Sequence, residues 1–391
     1  MTPVGTATSN PTRSGTAGID EVDRILAEGR SLPAQFFTDQ RIRDLEDELI
    51  FKRDWQLVCT EFELKEPGDY VTVRVASTPV VVVRDKVGAI KAFINVCRHR
   101  GNVLMRGDGT CKNLRCGYHG WTYGLDGSLV GVPFRREGNL PPVDTLSLSE
   151  VHVDTFGGFV FVALEPQVPL LEQLGDLPDL LERFDYDFPF GDPRSGLQPL
   201  PASDGSETTV RTNWKVFVEN GQECYHCPTI HADTFGAVCD INKIEYAETT
   251  EGRFGSVARI NLRDEVKARY SEEIRRVGGH QALMVFTFWP NVQIFSGYFG
   301  DHVLRFEPAG PSAIRYTMRS YARPAMSSDV FAELADIVLV QTGLEDIDVV
   351  EGVQLGLESG YYQPGPLMKG PEAIIRSFER QVWDVLRPSF A

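Results

Sequence analysis

The chain has 391 residues, 42% hydrophobic and 24% charged, the proportions of a globular protein long enough for two domains. A formal charge of −16 argues against nucleic acid or an anionic membrane as a partner, and no stretch approaches the ~18 uninterrupted apolar residues of a membrane helix. Seven cysteines, an odd number, behind a start without an apolar secretory segment argue against a disulfide framework and for metal or redox chemistry in the cytoplasm.

In chain order, the Thr-, Ser-, Gly- and Pro-rich start reads as a flexible tail over residues 1–18. A helical segment follows over 19–44, broken at Pro33, and helical character runs on to about Arg53 with Leu45, Leu49 and Ile50 on one face. From Asp69 the pattern changes to short β-branched runs, "YVTVRV", "PVVVVRD", "AIKAFINV" and "GGFVFVAL", so residues 45–165 are expected to form an all-β domain. The leucine-rich stretch Leu170 to Phe188 and the Pro-rich stretch Pro189 to Pro201 read as a connector. In a second domain over 166–391, Trp214, Phe217, Val218 and Gly221 have helical spacing, with Thr212 as N-cap. Strand-like runs lead to a long helix over Ser328 to Ser359 and a shorter one over Glu372 to Leu386. The fold class is α+β.

Two Cys/His pairs stand out: Cys97-x-His99 and, sixteen intervening residues later, Cys116-x-x-His119. Zinc fingers pair Cys with Cys and His with His, whereas here each loop supplies one of each. That suits a two-iron, two-sulfide centre whose thiolates hold one iron and whose imidazoles hold the other, the Rieske arrangement. Gly101, Gly117 and Gly120 are expected to let backbone N–H groups approach the sulfides, and Tyr118, Trp121 and Tyr123 to shield them.

The run "ENGQECYHCPTIHADTF" offers Glu223, His226 and His231. Five steps of a regular helix leave the two histidines ~140° apart, but Pro228 lets the chain turn between them. Two histidines and one carboxylate form the facial triad of oxygen-activating mononuclear Fe(II). Glu223, one helical turn before His226, suits a contact to that imidazole, with a solvated surface carboxylate as the bland alternative. Asp346 is the better third ligand. It heads a stripe with Val350, Val353 and Leu357, whereas Glu345 and Asp348 project towards polar faces; an ion pair or a cap is its alternative role. Cys224 and Cys227 could also be read as a zinc or redox pair.

With these residues together the sequence resembles the alpha subunit of Rieske non-haem iron oxygenases, over nearly the whole chain after the tail. The likeness rests on the four cluster residues, the block from Asn213 to His231, and the late helix around Asp346. It implies a Rieske [2Fe-2S] domain and a catalytic domain whose curved antiparallel sheet is gripped by helices, with the 19–44 segment packed on it. It implies a homotrimer in which Glu223 bridges His226 and His119 of the partner subunit; many relatives carry Asp at this position. Asn220 matches a residue near the iron. Electrons are implied to come from NAD(P)H through a separate flavin and iron–sulfur reductase, with a ferredoxin as a possible carrier. No Gly-rich dinucleotide fingerprint opens a helix in this chain.

The "VQLGLESGYY" stretch is similar to the branch acting on choline, glycine betaine and carnitine by hydroxylation next to nitrogen and N-demethylation. The alternatives are an arene dioxygenase forming cis-dihydrodiols and a Rieske protein that only transfers electrons. Phe286, Phe288, Trp289, Phe295, Tyr298 and Phe299 are candidates for an aromatic cage around a trimethylammonium group, or for sheet core.

Overall fold

A computed structural model describes residues 17–137, 140–184, 198–199, 207–272, 282–297, 300–322, 329, 333–334 and 336–391. Most of the tail, the Pro-rich stretch but for two residues, Tyr298, Phe299 and the start of the Ser328–Ser359 helix lie outside them.

The first domain is a seven-stranded antiparallel sheet. Its order is Gln56–Thr60, Phe159–Ala163, Glu150–Phe156, Ile90–Ile94, Thr78–Arg84, Asp69–Val75 and Asp108–Thr110. Successive strand residues face opposite sides. Val80 and Val82 therefore join one core, while Val81 and Val83 join another with Phe93, Cys97, Cys116 and Trp121. Two buried faces account for the unbroken valine run, and the second face backs the Cys/His loops. A small sheet of Leu114–Arg115, Thr122–Tyr123 and Leu129–Gly131 carries the second loop.

The second domain is an antiparallel sheet ordered Gln198–Pro199, Ala313–Ala322, Gly300–Gly310, Val292–Gly297, Ala282–Phe288, Gly255–Leu262 and Cys239–Glu248, with Glu207–Val210 also on Ala313–Ala322. The leucine-rich stretch expected to be a connector forms helices Leu170–Leu174 and Leu177–Arg183 instead. Their leucines pack in one core with Leu57, Phe159 and Phe161 of the first sheet and Val257, Phe286, Phe288 and Ile294 of the second. Burial of five leucines, roughly 1.5–3 kcal/mol each, makes this a wedge joining the two sheets.

The N-terminal helices Ile19–Ala27, Gln35–Thr38 and Gln40–Glu46, continued by π-type turns Asp47–Phe51, share a core with Trp214, Phe378 and Trp383. Residues on either side of position 45 thus pack on the second domain, and the first strand of the small domain begins at Gln56. Glu46 is fully buried; it accepts from Trp214 Nε1 at 2.8 Å and pairs with Lys215 and Arg43. This buried network fixes helix Trp214–Asn220, whose N-cap is Asn213 and not Thr212: the Asn213 side chain accepts from Lys215 N–H at 3.0 Å. Thr212 instead donates to Val350 O at 3.2 Å. In the late helix Thr342–Glu358, Val353 is 44% exposed and Gln354 is buried in its place. Gln354 Oε1 accepts from Asn213 N–H at 2.9 Å, so a polar residue holds the two site-bearing helices together. No helix among the described residues is long and apolar enough to cross a membrane.

Candidate metal centres

The two Cys/His loops close in the same way. Cys97 N–H donates to Asn102 O and Gly101 N–H to Cys97 O; Cys116 N–H donates to Trp121 O and Gly120 N–H to Cys116 O. Gly101 and Gly120 both have φ near +71°, the left-handed conformation that favours glycine. Their N–H groups therefore close the loops and do not point at sulfur. Burial pushes the Cys116 thiol up, but N–H groups of Tyr118 and His119, the Asn102 carboxamide and the Cys97 thiol together hold it below the ordinary value. The loop thus favours thiolate, as a metal ligand requires.

His99 and His119 meet with their Nδ1 atoms 3.1 Å apart. Trp121 stacks on His99 at 4.9 Å, Tyr118 lies 3.7 Å from the His119 ring, and the Tyr123 hydroxyl lies 3.5 Å from Cys97 Sγ. Both cysteines are buried and both histidines exposed. A cluster held here would be shielded on its thiolate side and would present its imidazole edges outward.

The second constellation is built from two segments. Helix Trp214–Asn220 stops at Gly221, where a Cβ would lie 2.1 Å from the Gln293 carboxamide and force it to move. Glu223 and His226 consequently occupy a turn and not one helical face. Pro228 does not break a helix either; it opens the single turn Cys227–Ile230, with His226 before it and His231 after it. The two imidazoles converge, Nε2 to Nε2 at 3.1 Å. Asp346 Oδ1 lies 3.0 Å from His231 Nε2 and 3.5 Å from His226 Nε2. Ligands about 2.1 Å from one ion stand about 3 Å from each other, so this donor set fits a single mononuclear metal. Asn220 lines the adjoining cavity.

Each imidazole is held at Nδ1 by its own carboxylate. Glu223 Oε1 lies 2.6 Å from His226 Nδ1, and its other oxygen accepts from the N–H groups of Tyr225 and His226. Glu345 Oε2 lies 2.7 Å from His231 Nδ1 and accepts from Thr234 Oγ1 at 2.6 Å. The expectation that Glu345 faces a polar side is therefore corrected: a single step of about 100° along the late helix aims both Glu345 and Asp346 at His231. Burial alone would lower the His231 pKa, but Asp346 and Glu345 raise it. Accepting the Nδ1 protons leaves both Nε2 lone pairs for a metal. Cys224 and Cys227, on either side of His226, form a disulfide with a Cα–Cα distance of 4.9 Å, which closes the turn covalently.

The cavity beside these residues has a floor of directly paired strand residues: Tyr246 opposite Ala258, Ala258 opposite Val285, and Val285 opposite Phe295. Phe235 completes the aromatic wall. Of the aromatic run, Phe295 alone among the described residues lines the cavity; Phe286 and Phe288 fill the wedge core, and Trp289 Nε1 donates to Asp54 at 2.8 Å.

Residues 182–387 match the family described as ring hydroxylating alpha subunit (catalytic domain), and residues 54–153 match the Rieske [2Fe-2S] domain. The glycine betaine monooxygenase oxygenase subunit of Chromohalobacter salexigens is 29% identical over 86% of this chain and 81% of its own. The N,N-dimethyl phenylurea N-demethylase subunit alpha of a Sphingobium species is 36% identical over 54% of this chain and 46% of its own. The solved structure of the quaternary ammonium Rieske monooxygenase CntA with L-carnitine superposes with a TM-score of 0.76 at 25% identity, covering 92% of this chain and 97% of that one.

Proposed function

The chain belongs to the ring-hydroxylating alpha subunits that carry a Rieske [2Fe-2S] domain, and from that premise we propose that it oxidises a carbon bound to nitrogen in a small N-methylated substrate. It is the terminal oxygenase component of a system driven by NAD(P)H through a separate reductase. The Rieske cluster supplies single electrons and the mononuclear iron supplies oxygen activation.

In this proposal Cys97, His99, Cys116 and His119 hold the cluster, and His226, His231 and Asp346 hold the iron. Glu223 and Glu345 orient the two imidazoles. Glu223 also joins the two centres between protomers of a homotrimer, facing His119 of the partner subunit. Exposed Tyr118, Phe134 and Tyr225 favour covering of these faces by a neighbour.

The observation that carries the substrate reading is the aromatic wall of Tyr246, Phe295 and Phe235 opposite the two-His, one-Asp set. Ring faces attract an N-methylated cation by ~0.5–2 kcal/mol each. Burial and the nearby Glu223 push the Tyr246 hydroxyl up to about 12, so its ring stays neutral at working pH. Glycine betaine, carnitine and the dimethyl phenylurea, which the relatives' names state, share N-methyl groups. The test is a reconstituted assay with reductase, NAD(P)H and O2 over choline, glycine betaine, carnitine, N,N-dimethyl compounds and a panel of arenes. Formaldehyde or aldehyde release with an N-methyl compound is the expected result. A cis-diol from an arene, with no N-methyl oxidation, would overturn it.

A further inference from the structure

Gln222 is 4% exposed, lines the same cavity as His226 and Asp346, and neither its Oε1 nor its Nε2 has a hydrogen-bond partner among the described residues. A buried carboxamide with both polar atoms unpaired is destabilising, and native interiors rarely tolerate it. Its backbone is tied down, because Gln222 N–H donates to Glu219 O at 3.1 Å, so the side chain is held in a defined place beside the cavity. One donor group and one acceptor await a complementary ligand.

The charge around that cavity narrows the choice. Among the described residues lining it, the charged side chains are Glu223 and Asp346, both acidic and both on the histidines. The lining described offers no Lys or Arg to neutralise a carboxylate, while neutral amides stand at Asn220 and Gln222. Burying an unpaired carboxylate here would be strongly unfavourable.

Resting on the N-methyl reading above, we infer that Gln222 is a specificity-determining residue and that the substrate carries an uncharged carbonyl or hydroxyl group besides its N-methyl group, and no carboxylate. The favoured class is an N-methylated amide, urea or amino alcohol. The Gln222 amide donates to the carbonyl or hydroxyl oxygen and its own oxygen accepts from an N–H or O–H where the substrate has one.

Isosteric pairs test this: glycine betaine against betaine amide, and carnitine against carnitinamide. Binding is read by equilibrium dialysis of the resting holoenzyme and turnover by formaldehyde release. Each amide is expected to bind at least about ten-fold more tightly than its carboxylate, as one satisfied hydrogen bond and one avoided unpaired charge require. Gln222→Met is expected to weaken amide binding about ten-fold, mainly through KM and not kcat, with iron and cluster content unchanged. Its thermal midpoint should not fall, since an apolar chain of similar length replaces an unpaired amide. A merely structural Gln222 would lower the midpoint and leave the amide preference alone. Equal or tighter binding of the carboxylates by the parental enzyme, or unchanged amide binding by Gln222→Met, would overturn the inference while leaving N-methyl oxidation standing. Oxidation of arenes only would remove the N-methyl reading and this inference with it.

Discussion

The two metal constellations are made in opposite ways. Between Cys97 and His119 the chain supplies four candidate ligands on two loops with identical closing bonds, backed by a valine face. His226 and His231 meet Asp346, which lies 115 residues beyond His231 in sequence, and their positions depend on a buried ion network, a helix stop and a disulfide-closed turn. Their exposure differs as well: His99 and His119 reach the surface, whereas His231 is 1% exposed. An electron relay works when its ligand edges are reachable from outside. Oxygen chemistry works when water is kept away. Independent construction of the two centres predicts that each can be removed without the other.

Asp346→Ala should produce the largest separation. Iron should drop from about three to about two ions per chain while the red-brown absorption of the cluster persists, and turnover should fall by more than about 100-fold. Metal analysis alongside the visible spectrum checks this; loss of the colour would mean that the two centres stand or fall together. Glu223→Gln should come next, keeping all iron and being reduced by the reductase at the parental rate, yet turning over about 10–100-fold more slowly. Turnover at the parental rate would show that Glu223 neither orients His226 nor joins the centres.

The same contrast decides what sequence alone makes legible. The four cluster residues and the two strand-rich domains lie within local patterns of period two and fixed Cys/His spacing, so they can be read directly. Glu345 could not, because on a helical wheel it sits off the stripe of Asp346 and Val350, and only the approach of His231 and Thr234 gives it a partner. The leucines of 170–181 read as a connector since nothing local reveals the second sheet that buries them. Gln354 carries the reverse lesson: a polar residue takes the core position expected for Val353 because helix Trp214–Asn220 leaves a backbone N–H to satisfy. The aromatic run, readable as cage or as sheet core, divides for a similar reason: alternate residues on paired strands face different cores and, among the described residues of the run, Phe295 alone meets the cavity.

Smaller effects should grade with distance from the metal and stay on the catalytic side. Glu345→Gln keeps a hydrogen-bond acceptor beside His231 Nδ1 but removes its charge, so iron should be lost about ten-fold more readily to a chelator, with the cluster spectrum unaltered. Thr234→Val lies one bond further out. It removes only the hydroxyl that donates to Glu345, a contact of about 0.5–1.5 kcal/mol, so chelator competition should shift about two- to ten-fold at most. The double variant discriminates between two accounts. If Thr234 acts solely by holding Glu345, its effect should largely vanish in the Glu345→Gln background, because the uncharged amide no longer anchors His231. Fully additive losses would instead mean that the Thr234 side chain supports the site by a route other than its bond to Glu345.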